Sequence, residues 1–119
     1  YGLINNIKML GFAENPYIIL KNSKIMCITS NWEGFGLAAI EGLALGLPVI
    51  AKNIGGLKEI VTNDCGILYS NIQEAVQNIE EMLKDTELLK VKSQKAKNRA
   101  KKLENIKKYI NDIMNIYET

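Results

Sequence analysis

Histidine is absent from this chain of 119 residues. That absence removes imidazole acid–base chemistry, the Ser-His-Asp arrangement and most zinc sites together. Cysteine is scarce: Cys27 and Cys65 stand far apart and form no Cys-x-x-Cys pattern. They are expected to be free thiols in a reducing, cytoplasmic setting. Long hydrophobic runs are lacking as well. The longest, Leu37 to Ala51, is broken by Glu41 and Pro48 and falls short of the roughly 20 residues a membrane-spanning helix needs. Neither sign of charge dominates, with a net of +2, so no global field points to a nucleic-acid partner.

The balance hides an asymmetry. From Lys84 to Lys108 there are ten Lys and Arg against three Asp and Glu. This reads as the solvated face of long C-terminal helices. Anionic lipid headgroups or an acidic partner are the alternative, which would place the protein peripherally at the inner face of a membrane. The length suits one domain with one sizeable core.

Four short apolar runs, Ile7–Leu10, Ile25–Ile28, Pro48–Ala51 and Gly66–Tyr69, are bounded by Gly, Asn, Ser or Pro. Runs of that kind read as buried parallel strands. Helices are predicted between them at Pro16–Asn22, Leu37–Leu45 and Leu57–Thr62, the second ended by Gly46 with Pro48 shortly after. The alternation predicts an α/β fold, a Rossmann-like parallel sheet with flanking helices over about residues 7–69. From about 71 to 117 the pattern is helical only. Ile72, Ala75, Val76, Ile79 and Leu83 form one apolar stripe, and Asp85 or Thr86 can cap the next helix. In that helix the inward positions Leu89, Ser93, Ala96 and Ala100 are mostly small, which implies close approach to a neighbour. A last helix is expected to present Ile106, Ile110, Ile113 and Tyr117.

The chemically informative stretch runs from Thr29 to Ile50. It leaves a buried strand, crosses a glycine-containing loop and enters a helix, the place where open α/β sheets bind ligands. Gly34 and Gly36 permit close approach of backbone to a ligand, and the helix opening near Leu37 offers free N–H groups and a positive dipole end to phosphate. Glu33 sits in the loop and Glu41 about one turn into the helix, roughly 6–8 Å from its start. A carboxylate accepts from both hydroxyls of a vicinal diol, so Glu33 suits a sugar and Glu41 a ribose. Capping or a solvent-facing position is the plain alternative for both. Against it, Glu41 lies in an otherwise apolar helix, and Gly42 in the helix interior costs about 1 kcal/mol relative to Ala unless close packing or a ligand justifies it.

These residues resemble the retaining glycosyltransferases of the GT-B fold, the large group that includes sucrose synthases, bacterial glycogen synthases and capsule or lipopolysaccharide sugar transferases. The hallmark Glu-x7-Glu is met by Glu33 and Glu41, within Ser30, Trp32-Glu33-Gly34-Phe35-Gly36, Ala44, Gly46 and Pro48-Val49-Ile50. Leu10-Gly11-Phe12, Glu14-Asn15-Pro16-Tyr17, Gly55-Gly56 with Glu59, and Cys65-Gly66-Ile67-Leu68 fit the family's flanking segments, so the resemblance covers residues 7 to about 100.

The resemblance implies that Glu33 is the catalytic residue on the donor sugar, and that backbone groups of Gly34, Phe35, Gly36 and Leu37 hold sugar and distal phosphate. It also implies that Glu41 takes the ribose and that Gly11 and Phe12 border the base. No metal or other cofactor is implied, cationic side chains neutralising the leaving diphosphate instead. Residues 1–119 would form part of the C-terminal, nucleotide-sugar-binding half of the GT-B fold. About six strands are usual in such a sheet, and those beyond the four predicted are expected before Tyr1. The cations for the diphosphate and the domain for a saccharide or lipid-linked acceptor are expected there too, so this chain alone is expected to be inactive and to self-associate through an uncovered sheet. Thr29, Gly42 and Lys52-Asn53 depart from the family's usual residues, and Lys52-Asn53 is placed to touch a ligand. The rival readings are a GT-B nucleotide-sugar epimerase or phosphorylase, and a non-catalytic GT-B-derived nucleotide-binding or scaffolding module.

Overall fold

The computed structural model describes residues 2–118, with side chains through 105 and at 108 and 115. Three strands, β1 (Met26–Ile28), β2 (Val49–Lys52) and β3 (Gly66–Tyr69), form one parallel sheet in the order β1-β2-β3. Cys27 pairs with Ile50, and Ile50 with Ile67. Parallel neighbours need crossover connections, supplied here by the helices α2 (Leu37–Ala44) and α3 (Leu57–Ile60). A short α1 (Pro16–Lys21) precedes the sheet, while α4 (Ile72–Lys84) and α5 (Thr86–Glu118) follow it. This is the α/β, Rossmann-like arrangement that the strand–helix alternation predicts.

Alternation along β2 divides the core between two faces. Val49 and Ala51 join Ile28, Ala39, Leu43, Leu57 and Ala96 on one face. Ile50 points the other way, to Tyr69 and Met82. All three β2 residues are fully buried, which is why the strand reads as a continuous apolar run.

Helix α2 is bracketed by glycines in the left-handed region, Gly36 at φ 77° and Gly46 at φ 79°. At its C-terminal end the Gly46 N–H donates to the Leu43 carbonyl and the Leu47 N–H to the Gly42 carbonyl, each at 2.9 Å. That paired closure satisfies two otherwise orphaned carbonyls. A Cβ at Gly42 would run into the Met26 sulfur, so packing of α2 on β1 accounts for this glycine without a ligand. The small inward positions of α5 behave as predicted. Ser93 Oγ donates to the Gly46 carbonyl at 2.6 Å, and Ala96, Ala100 and Leu103 are buried against the α2 side of the core.

Four expectations need correction. Segment 7–10 is coil, with Met9 90% exposed, because among the described residues no neighbouring strand offers it a ladder. On α4 the inward residues are Ala75, Ile79 and Met82, while Ile72, Val76 and Leu83 are exposed; the apolar arc is wider than the cover available. Residues after Thr86 form one continuous helix rather than two, capped by the Asp85 carboxylate accepting from the Leu88 N–H at 3.0 Å. Its 33 residues would measure about 50 Å, matching the longest molecular dimension of 53 Å. The side chains of Ile106, Ile110, Ile113 and Tyr117 lie outside the described ones. The remaining correction is at helix ends: α2 and α3 stop one or two residues before Leu45 and Thr62.

Both cysteines are free thiols, Cys65 buried and Cys27 exposed. Among the described residues no helix is long and apolar enough to cross a membrane. Enlarging the α2–α5 contact tests its closeness. Ala96→Leu should lower unfolding stability by about 1–3 kcal/mol, read as a lower urea midpoint at unchanged m-value; an unchanged midpoint would show that α5 is held elsewhere.

Candidate functional site

Beyond the carboxyl ends of β1 and β2 two loops lock together. Gly56 donates its N–H to the Glu33 carbonyl at 3.3 Å and to the Gly34 carbonyl at 3.0 Å. Gly55, at φ 48°, lies so close to the Glu33 carbonyl that any Cβ would collide with it, and a Cβ at Gly56 would strike the Gly34 carbonyl. A further link is polar. Lys52, the last residue of β2, donates from Nζ to Asn31 Oδ1 at 2.8 Å.

This clasp sets the entrance to α2. Gly36 is the N-cap, and a side chain there would meet Ile60 Cδ1 at 2.8 Å and Leu57 Cδ2 at 3.3 Å. The Gly36 carbonyl accepts from Ala39 and Ile40. The N–H groups of Leu37 and Ala38, by contrast, find no acceptor among the described residues, leaving two donors and a positive dipole end exposed. The Glu33 side chain turns toward this point, its Cγ 3.9 Å from where a Gly36 Cβ would sit. Glu33 as a residue is half-buried, and its carboxylate has no hydrogen-bond partner among the described residues. Gly34 faces only the Trp32 ring, at 3.6 Å from the Cβ position, and Trp32, Phe35 and Leu37 form an exposed apolar rim.

Glu41 follows one turn along α2. Its Oε1 accepts from the Tyr17 hydroxyl at 3.2 Å, and it walls a groove of about 450 Å³ between α2 and α5 together with Ile40, Ala44, Lys97 and Lys101. The hydrogen bond to Glu41, and then its negative charge, raise the Tyr17 phenol above the ordinary tyrosine value of 10.0. Oε2 keeps its full accepting capacity. Among the described residues no three acidic or sulfur side chains gather where they could hold a metal ion.

Glu33, Gly34, Phe35, Gly36, Leu37 and Glu41 thus share one loop and helix entrance. Gly11 and Phe12 do not join them. Gly11 has φ 63° with nothing within 4 Å of its Cβ position, and Phe12 is 94% exposed. Sequence reasoning missed three parts of the assembly. The Gly55-Gly56 pair is visible in sequence, but its partner carbonyls are not. The Tyr17–Glu41 contact spans 24 residues with no local signal. Arg99 donates from Nε to the Ile60 carbonyl at 3.0 Å and from Nη2 to the Glu59 carbonyl, and Lys92 donates to the Asn63 carbonyl. Part of the basic run on α5 therefore serves the carbonyl-rich end of α3.

The family model described as glycosyl transferases group 1 matches residues 1–103. The chain belongs to that family. An uncharacterized glycosyltransferase of Methanocaldococcus jannaschii is 39% identical over 66 residues, 55% of this chain and 16% of that protein. The MMP alpha-(1->4)-mannosyltransferase of Mycolicibacterium hassiacum is 39% identical over 51 residues, 43% of this chain and 12% of the relative. The lipopolysaccharide core biosynthesis mannosyltransferase LpsB of Rhizobium meliloti is 34% identical over 61 residues, 51% of this chain and 17% of the relative. The matched segment is therefore less than one fifth of each of these group 1 relatives.

Two outcomes test the site's construction. Gly55→Ala should cost at least about 2 kcal/mol, because it adds left-handed strain to a clash with the Glu33 carbonyl; equilibrium urea unfolding reads the loss. Glu41→Gln should return the Tyr17 phenol toward 10.0, followed by pH titration of the ring resonances. The sign follows from the raised value: the hydrogen bond stabilises the fold below pH 10 and is lost as pH rises through the folded-state pKa. A Tyr17 titration unmoved by the substitution would mean that the two side chains do not meet in solution.

Proposed function

We propose that this chain forms the donor side of a retaining, GT-B-type glycosyltransferase, which transfers a sugar from a nucleotide-sugar to a saccharide or lipid-linked acceptor. The observation that carries the reading is Glu33 and Glu41 flanking an α2 entrance whose Leu37 and Ala38 amides are unpaired. An anion at a helix N-terminus is favoured by the free N–H groups and by the dipole, equivalent to about half a positive charge. The distal phosphate of the donor belongs there. As the glycosidic bond to that phosphate breaks, negative charge grows on its oxygens, and fixed donors stabilise that charge without reorganisation.

Glu33 then accepts hydrogen bonds from the sugar hydroxyls, orienting the anomeric carbon toward the acceptor and keeping the catalytic role that the family motif assigns. Glu41 accepts from the ribose hydroxyls through the oxygen that Tyr17 leaves free. Gly11 and Phe12 border the base on this reading, which requires their segment to close toward α2 from its exposed position. No metal is assigned: backbone amides and cationic side chains carry the charge. Residues 1–119 act as part of the C-terminal, donor-binding half, and transfer needs the rest of that half and the acceptor-binding half as well. The names of the mannosyltransferase relatives, one of them in lipopolysaccharide core biosynthesis, support a place in cell-surface polysaccharide synthesis. Such work would be done in the cytoplasm, at the inner face of the membrane where the acceptor is lipid-linked.

Ligand-observed NMR with UDP-, GDP- and ADP-sugars tests the assignment. One nucleotide series should bind, and Glu41→Ala should weaken it by about tenfold or more, the worth of a hydrogen bond to a charged group. Binding that survives Glu41→Ala unchanged would overturn the reading for this chain.

A further inference from the structure

Lys52 occupies a position that its own strand does not explain. Ile28 and Ala51 are the last residues paired between β1 and β2, and Lys52, paired with Tyr69 of β3, ends β2 at the carboxyl edge where open α/β sheets bind ligands. A lysine at a strand end ordinarily runs its stem outward and leaves the ammonium in water. This residue is half-buried overall, and its ammonium turns across the gap between the strand ends, donating to Asn31 Oδ1 at 2.8 Å in an exposed hydrogen bond. Asn31 lies two residues before Glu33, in the loop that the Gly56 amide clasps.

The partner is neutral. Among the described residues the ion pair is Lys90–Glu87 on α5, and no carboxylate comes within ion-pair distance of Lys52. An ammonium carries three donors and no acceptor, so Asn31 uses one and leaves the charge and two N–H groups open to a ligand. A positioned ammonium with no carboxylate beside it is a ready partner for an anion. An anion is also what the adjacent α2 entrance favours, and the carboxylate of Glu33 beside it suits the hydroxyls of the same ligand.

We propose that Lys52 is a donor-contacting residue that binds an anionic group on the nucleotide sugar, and so helps determine which donors are accepted. The inference rests on the donor-site reading given above. Two sources share the chemistry: the distal phosphate, and a carboxylate on the sugar, as in a uronic acid. A phosphate contact adds affinity for every donor of the matching base. A sugar-carboxylate contact selects uronate donors over neutral hexoses. In either case Asn31 is the positioning residue, holding the ammonium over the Glu33 loop.

The test is a set of dissociation constants by ligand-observed NMR. The free nucleoside diphosphate, its hexose conjugate and its uronate conjugate are titrated in uridine, guanosine and adenosine series. The proteins are the chain as it stands, Lys52→Met, Asn31→Ala and Glu41→Ala, each first checked by its urea midpoint. Lys52→Met should weaken binding about 10- to 100-fold, the range for a lost hydrogen bond to a charged group. Loss for all three compounds assigns the phosphate, and loss confined to the uronate assigns the sugar carboxylate. Asn31→Ala should lose less, because the cation remains. Unchanged constants in Lys52→Met, alongside weakened ones in Glu41→Ala, overturn the proposal while leaving the donor site in place. Equal losses in Lys52→Met and Asn31→Ala also overturn it, since the lysine would then act only as a tether. Binding insensitive to Glu41→Ala removes the donor reading and this inference with it.

Discussion

The clasp between Gly55-Gly56 and the carbonyls of Glu33 and Gly34 is the contact on which the site depends. Two backbones meet there with no side chain between them, a closeness only glycine permits. The contact fixes where the loop after β1 turns into α2, and hence where the free amides of Leu37 and Ala38 face. It also holds the Glu33 side chain beside Gly36. The same two segments carry Lys52 and Asn31, so one short backbone contact registers a carboxylate, a helix entrance and an ammonium against each other. The family match over residues 1–103 spans all of these parts.

Support for the clasp comes from below and from behind. Ile60 and Leu57 of α3 fill the space under Gly36, and Arg99 of α5 holds the Glu59 and Ile60 carbonyls at the end of that helix. Helix α5 also presses Ser93, Ala96 and Ala100 onto α2, where small side chains bring the two backbones near each other. The positions that hold the site are therefore spread over distant parts of the chain, and none of them bears a reactive group. Substitutions at Leu57, Ile60 or Ala96 would reach Glu33 through packing alone, since a close-packed interior transmits a displacement rather than absorbing it.

How much was legible in the sequence depends on how local the cause was. Helix α2 could be bounded nearly to the residue because its stop is a glycine turn with a proline behind it, all local chemistry. The β2 run was legible because burial on both faces leaves no polar residue in Val49, Ile50 and Ala51. Segment 7–10 carries an equally apolar run and still forms no strand, since a strand is a property of a pair and its partner is not among the described residues. The stripe on α4 failed for a related reason: periodicity reports which side is apolar, not how much of it a sheet of three strands covers. For the site, Glu33, Gly34, Phe35, Gly36, Leu37 and Glu41 were read from one contiguous motif. Lys52 also stood out in sequence, but its contact with Asn31, that of Tyr17 with Glu41 and those of Arg99 came only with the fold, because each joins residues at least 21 apart.

The docking of α5 on α2 also sets an order of events during synthesis. The residues that cover α2, from Ser93 to Leu103, leave the ribosome after the helix they cover, with Ser93 and Gly46 separated by 47 positions. At about 5–20 residues per second, α2 spends several seconds as a nascent segment with Ala39, Ile40 and Leu43 unprotected. The clasp is thus braced by a helix made after the one it covers, and a chain stalled before that helix emerges would present the clasp without the element that braces it.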